Sequence, residues 1–215
     1  SAANPNHLVS AYKDNVAFID GPKELEQFAP ASGDKPDFFV RKPIDSVLSL
    51  KAETHNFPTT VEPFNGAATG TGGEIRDRMA GGRASVPLAG TAVYMTSYPR
   101  TAADRPAEQY SAARPWLYQT PRQILTKASN GASDFGNKFG QPLICGSVLT
   151  FEHEGKDAAP TYGFDKVIML AGGVGYAHRS DAQKGTPEPG EEVVLLGGDN
   201  YRIGMGGGAV SSVNT

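Results

Sequence analysis

Lys51-Ala52-Glu53-Thr54-His55-Asn56-Phe57-Pro58-Thr59-Thr60, then Val61-Glu62-Pro63-Phe64-Asn65, then Gly66-Ala67-Ala68-Thr69-Gly70-Thr71-Gly72-Gly73-Glu74-Ile75-Arg76-Asp77, is the stretch whose reading decides the fold. Ser46 to Leu50 before it alternates polar and apolar, and side chains two apart on a strand share a face. Leu48, Leu50 and Ala52 therefore point one way and Lys51, Glu53 and His55 the other, an ammonium, a carboxylate and an imidazole about 7 Å apart. Pro58 cannot donate to a ladder and biases Phe57 away from helix, so the strand is expected to end near Asn56. His55 and Asn56 then stand at its mouth.

Four glycines fall between Gly66 and Asp77, and each costs a helix about 1 kcal/mol relative to Ala. Gly66, Gly70, Gly73 and Asp77 are nevertheless spaced four, three and four, which lines them along one helical face. Such a bare stripe is either a surface for tight packing on a sheet or a seat where a ligand reaches the backbone. Glu53 and Asp77, if the helix packs on the strand, offer two carboxylates of the kind that hold Mg2+ against nucleotide phosphates. Lys51 and Arg76 would neutralise phosphate oxygens and His55 could move a proton. A structural salt-bridge cluster explains the same four charged residues.

Outward from this centre the chain predicts further elements. Asn15 to Pro22 reads as a strand closed by a Gly-Pro turn, preceded at Tyr12-Lys13-Asp14-Asn15 by either a surface turn or a phosphate contact, of which the turn is the favoured reading. Pro30 to Pro36 reads as a loop and Asp37 to Arg41 as a strand. A basic loop over 79–87 leads into a strand from Leu88 to Tyr98, with Thr91 to Met95 expected to be buried on both faces. Residues 101–115 read as loop. Thr120 is an N-cap with Pro121 at the first helical position, opening a helix to about Phe139, in which Ser129 to Asp134 either breaks the helix or lines a groove. Leu143 to Glu152 is a strand in which Cys145 is expected to be buried and inert. Lys166 to Leu170 is another, ending at Ala171-Gly172-Gly173, and Glu192 to Gly198 one more. His7, His153 and His178 lack spaced partners.

Several classes are disfavoured. With 20 basic against 23 acidic residues and no basic run, no nucleic-acid partner is expected. One cysteine excludes an internal disulfide and suits a reducing, cytoplasmic setting. No apolar run spans a bilayer, so no membrane partner is expected. No glycine of the stripe is followed by lysine, which removes a P-loop. Gly204-Met205-Gly206-Gly207-Gly208-Ala209 fits the dinucleotide fingerprint but lacks room for the acidic residue expected about 20 positions on.

The stretch from Lys51 to Asp77, with Ser10-Ala11-Tyr12-Lys13-Asp14-Asn15 and Gly204 to Ala209, resembles the phosphoribosylformylglycinamidine synthases of the large, single-chain form. The resemblance implies an α+β fold: a mixed sheet backed by helices, as in the N-terminal domain of aminoimidazole ribonucleotide synthetase, pairing into a barrel-like dimer or pseudo-dimer. It implies a synthetase-like domain over 1–178, then a linker and the start of a second domain over 179–215. The implied activity is a ligase of purine biosynthesis that uses ATP, Mg2+ and glutamine. It converts formylglycinamide ribonucleotide to formylglycinamidine ribonucleotide through a phosphorylated imidate attacked by ammonia from a glutaminase domain.

By that resemblance Glu53 and Asp77 match metal ligands and Lys51 an ATP contact. Thr54, His55, Asn56 and Arg76 match substrate contacts, with His55 in proton transfer, and Gly66 to Asp77 matches a nucleotide-binding stretch. Many relatives have histidine where Phe57 stands. An upstream Ser-Glu-His-Cys segment, the second synthetase half and the glutaminase nucleophile are not in the sequence, so the chain alone is expected to be inactive and to form a homodimer. The competing reading is a structural, pseudo-symmetric half without nucleotide binding.

Overall fold

The structure, a computed structural model, describes residues 6–102, 105–109, 112, 118–156 and 159–198. It is α+β with a mixed sheet. The strands are β1 (Leu8–Ser10), β2 (Ala17–Asp20), β3 (Leu25–Pro30), β4 (Phe39–Ile44), β5 (Ser46–Thr54), β6 (Val86–Thr96), β7 (Leu143–Thr150), β8 (Glu152–His153), β9 (Tyr162–Gly163) and β10 (Ile168–His178). The helices are α1 (Asn56–Val61), α2 (Pro63–Met79), α3 (Pro106–Gln109) and α4 (Pro121–Lys138). Six strands form one sheet in the order β1-β2-β5-β10-β6-β7, while β3-β4 and β8-β9 form two-stranded sheets. β2 runs antiparallel to β1 and β5, whereas β6 and β7 are parallel. A parallel pair needs a crossover, and α4 supplies it.

The chain clusters into two compact units, and β5, α2, β6 and β10 each run through both. The first unit, Ser1–Lys51, Ile75–Ala89 and Gly173–Gly185, has a core of Val16, Phe18, Val47, Ala177 and Ala182. Its loop at Tyr12 to Asn15 is the turn that the sequence suggests: Asp14 accepts from Gly82 N (3.0 Å) and pairs with Lys184 (3.0 Å). Arg179 ties the end of β10 down by bonding Asp45 and Asp20, both at 2.8 Å. The second unit, Ala52–Glu74, Gly90–Gly172 and Thr186–Thr215, is cored by Ala67, Tyr94, Ile124, Ala128 and Met169 among others. α4 forms as the sequence dictates: Thr120 and Gln123 make a reciprocal capping box ahead of Pro121. The helix is not broken at Ser129 to Asp134; the small residues there let Gly131 lie against the Phe64 backbone.

Several expectations are corrected. Phe57 and Pro58 are helical, in the first turn of α1, where a missing proline N–H costs nothing because no intrahelical acceptor exists for it. β3 forms where no strand was expected. β6 alternates between buried and half-buried from Gly90 to Thr96 instead of being enclosed on both faces. β10 continues through Gly172 and Gly173 to His178. Glycine inside a strand marks close approach: a Cβ on Gly175 would lie 2.7 Å from both an Arg78 guanidinium nitrogen and Ser49 Oγ, and Arg78 is wholly buried. Cys145 is exposed because β7 ends the sheet and shows most of its residues to solvent. Residues 192–198 form no strand, and Val193 to Leu196 are exposed. α3 interrupts the predicted loop at 101–115. The glycine run at Gly204 to Ala209 lies outside the described residues. No helix among the described residues is long and apolar enough to cross a membrane.

Candidate functional site

β5 turns its charged face toward protein. Lys51, Glu53 and His55 are half-buried while Leu50, Ala52 and Thr54 are exposed, the reverse of the usual apolar-in pattern. The strand hands over to α1 at His55. Its N–H donates to Met169 O on β10 (2.8 Å), and Met169 N donates to Asn56 Oδ1 (3.0 Å). Thr59 Oγ1 donates to His55 O (2.5 Å) and Thr60 Oγ1 to Asn56 O (3.1 Å). The mouth of β5 is therefore fixed by four hydrogen bonds, and one side of the Asn56 amide is already used. Phe57 is held edge-on to Tyr118 (6.2 Å between centroids), with Lys166 Nζ 5.9 Å from its ring.

The glycine stripe of α2 is filled at two of its positions. A Cβ on Gly66 would lie 2.5 Å from Thr59 Cα, and one on Gly70 would lie 2.9 Å from His55 Cβ. Gly72 faces away from the stripe, against the Phe135 ring. Tight packing thus explains Gly66 and Gly70. Two turns beyond Gly70, Asp77 Oδ2 lies 2.8 Å from Lys51 Nζ, with the Lys51 and Asp77 side chains 17% and 29% exposed.

The rest of the glycine-rich stretch divides by burial. Ala67, Thr71, Glu74 and Ile75 are enclosed by protein, with Glu74 bonded to Gln141, whereas Arg76 and Thr69 face solvent. Among the described residues no three His, Cys, Asp or Glu side chains are grouped to hold a metal. A cavity of about 450 Å³ between α4 and strands β6 and β7, lined in part by Tyr94, Ser129 and Ser147, contains none of the residues that the motif singles out. Burial pushes the Tyr94 hydroxyl up to about 12.

Sequence reasoning missed two buried polar pairs. Glu74 with Gln141 is one. In the other, Glu152 accepts from Arg100 at 3.0 and 2.7 Å and from Tyr98 N at 2.9 Å, its side chain wholly buried. Each joins residues more than 50 positions apart, and neither spacing leaves a periodic signal.

No protein-family model matches the chain. Phosphoribosylformylglycinamidine synthase of Drosophila melanogaster is 40% identical over 212 residues, covering 98% of this chain and 16% of that protein. The Homo sapiens enzyme of the same name is 41% identical over 99% of the chain, and the Saccharomyces cerevisiae enzyme 39% over 98%, again at 16% of their lengths. Among solved structures, Thermotoga maritima PurL complexed with ATP is 25% identical over 63% of this chain and 18% of that one, with a TM-score of 0.41. With 39–41% identity along 98–99% of its length, the chain belongs to the phosphoribosylformylglycinamidine synthase family, as a stretch spanning about 16% of the length of those relatives.

Proposed function

We propose that this chain carries part of the ATP- and Mg2+-binding site of a ligase of purine biosynthesis, one that converts formylglycinamide ribonucleotide to formylglycinamidine ribonucleotide. Glutamine would be the amide donor, its ammonia delivered by a glutaminase domain to a phosphorylated imidate. The observation that carries the reading is the ion pair between Lys51 of β5 and Asp77 of α2, 2.8 Å long and partly open to solvent.

The donor chemistry fits. Mg2+ takes one or two carboxylates together with substrate phosphates and water, and the Asp77 side chain is 29% exposed and so open to a hydrated ion. Glu53 and Asp77 would hold the metal, which when bound neutralises phosphate charge. Lys51 would exchange its carboxylate partner for a phosphate oxygen. The residues from Gly66 to Asp77 would line the nucleotide through backbone and through the exposed Thr69 and Arg76. Thr54, Asn56 and Arg76 would orient the ribonucleotide, and His55, pinned through its backbone, would hold or move a proton. The same reading takes 1–178 as a synthetase-like domain followed by a linker and the start of another, and places the protein in the cytoplasm. A barrel-like pairing of sheets, in a homodimer or a pseudo-dimer, is supported by the apolar side chains that β7 exposes at Ile144 and Val148.

Tight packing at Gly66 and Gly70 favours a second reading, a structural half without nucleotide affinity. Calorimetric titration of the chain with ATP and Mg2+ separates the two. The site reading expects metal-dependent binding weakened at least tenfold by Glu53→Ala and by Asp77→Ala. Binding unchanged in both variants would defeat it.

A further inference from the structure

The hairpin of β3 and β4 stands apart from the proposed site. Its strands pair only with each other among the described residues, and an isolated two-stranded hairpin is marginally stable in water. The arm is nonetheless built with care at its tip. Ala31 N donates to Phe38 O (2.8 Å), Ser32 Oγ donates to Asp37 Oδ2 (2.7 Å) and Lys42 Nζ donates to Ala31 O (3.1 Å).

Register places Phe28 opposite Arg41 and Pro30 opposite Phe39. Period two then gathers Phe28, Pro30, Phe39 and Arg41 on one face. Phe28 is 73% exposed, Phe39 67% and Phe38, at the tip, 87%. At about 200 Å² per ring, Phe28 and Phe39 leave roughly 280 Å² of aromatic surface in water on this face, and Phe38 adds a third exposed ring at the hairpin tip.

We propose that this face docks onto an apolar surface of another domain of the same polypeptide, in the part of the synthase that this chain does not span. The inference rests on the family membership and not on the nucleotide site. Three observations select that occupant. The patch falls well short of the ~800 Å² per partner that holds two free proteins together, so a second copy would not stay bound through it. A tethered domain meets a patch of this size at high effective concentration, and the matched relatives carry 84% of their length outside the 16% aligned here. Pro43, within β4, has no N–H to offer an added strand, which favours contact through the face over extension of the sheet.

Hydrogen–deuterium exchange at Leu25–Pro30 and Phe39–Ile44 tests this in the 215-residue chain and in the complete polypeptide that carries it. The expected result is exchange at least ~100-fold slower in the complete polypeptide, restored to the fast rate there by Phe28→Asp with Phe39→Asp while Pro121–Lys138 keeps its protection. Equal rates in the two polypeptides overturn the proposal, as does slow exchange that survives the double substitution. Protection that grows with concentration of the 215-residue chain also overturns it, by assigning the face to a second copy. The comparison of the two unsubstituted polypeptides decides the matter even if the double variant misfolds.

Discussion

Lys51 with Asp77 and Arg100 with Glu152 are pairs of the same chemical kind with different surroundings. The first is a 2.8 Å contact between side chains that keep some access to solvent. The second buries Glu152 completely and has it accept three hydrogen bonds, two from Arg100 and one from the Tyr98 amide. A charge pair with solvent access can change partners when a ligand arrives. A charge whose acceptor sites are taken and which water cannot reach is fixed in place. Burial and the number of hydrogen bonds, more than residue type, distinguish a candidate site from a structural tie.

The contrast breaks first at Glu152. Glu152→Ala leaves the Tyr98 amide and the Arg100 guanidinium without their principal acceptor, and urea denaturation should show a loss of about 3 kcal/mol. Nucleotide binding by the folded fraction should be unaltered.

Gly70→Ala comes next. The new methyl gains about 1 kcal/mol of helix propensity but meets His55 Cβ at 2.9 Å, an overpacking cost of about 1–3 kcal/mol. The expected net loss is about 1 kcal/mol in the same denaturation, together with a change in the His55 ring environment visible by NMR. An unchanged His55 signal would mean that the strand and helix are less tightly apposed than described.

Asp77→Asn sharpens the comparison from the other side. It removes a partly exposed pair, so stability should move by less than about 1 kcal/mol while magnesium-dependent ATP binding falls at least tenfold. A stability loss matching that of Glu152→Ala would make the Lys51–Asp77 pair structural. The smallest effect is expected at Tyr94, whose buried hydroxyl has no hydrogen-bond partner among the described residues. Tyr94→Phe should leave the unfolding midpoint unchanged or slightly raised, because no bond is lost and a desolvated polar group is removed. A clear drop would reveal a partner for that hydroxyl.

Much of the fold was legible where the signal is local. The alternation from Ser46 to Thr54, the Thr120–Pro121 cap and the strand before Gly21-Pro22 each specify an element through residues within a few positions of one another. Phe57 and Pro58 misled because the rule against helix before proline is a bias, and Thr59 and Thr60 bonding back to His55 and Asn56 outweighs it. The glycines of β10 misled because glycine commonly ends strands, whereas at Gly175 it makes room for the Arg78 guanidinium. Cys145 misled because an apolar strand reads the same at a sheet's edge as at its centre.

The sequence by itself determined the family, the alternation that puts Lys51, Glu53 and His55 on one face, and the four-three-four spacing that puts Gly66, Gly70, Gly73 and Asp77 on another. Those are properties of strand and helix geometry acting over a few residues. Only the tertiary structure decided that Gly70 packs against His55, that Asp77 meets Lys51, that Glu74 is bonded to Gln141, and that the aromatic face of the β3–β4 hairpin is left exposed. Each depends on which elements the chain brings side by side, and that is fixed by burial summed over the whole molecule, which no short stretch encodes.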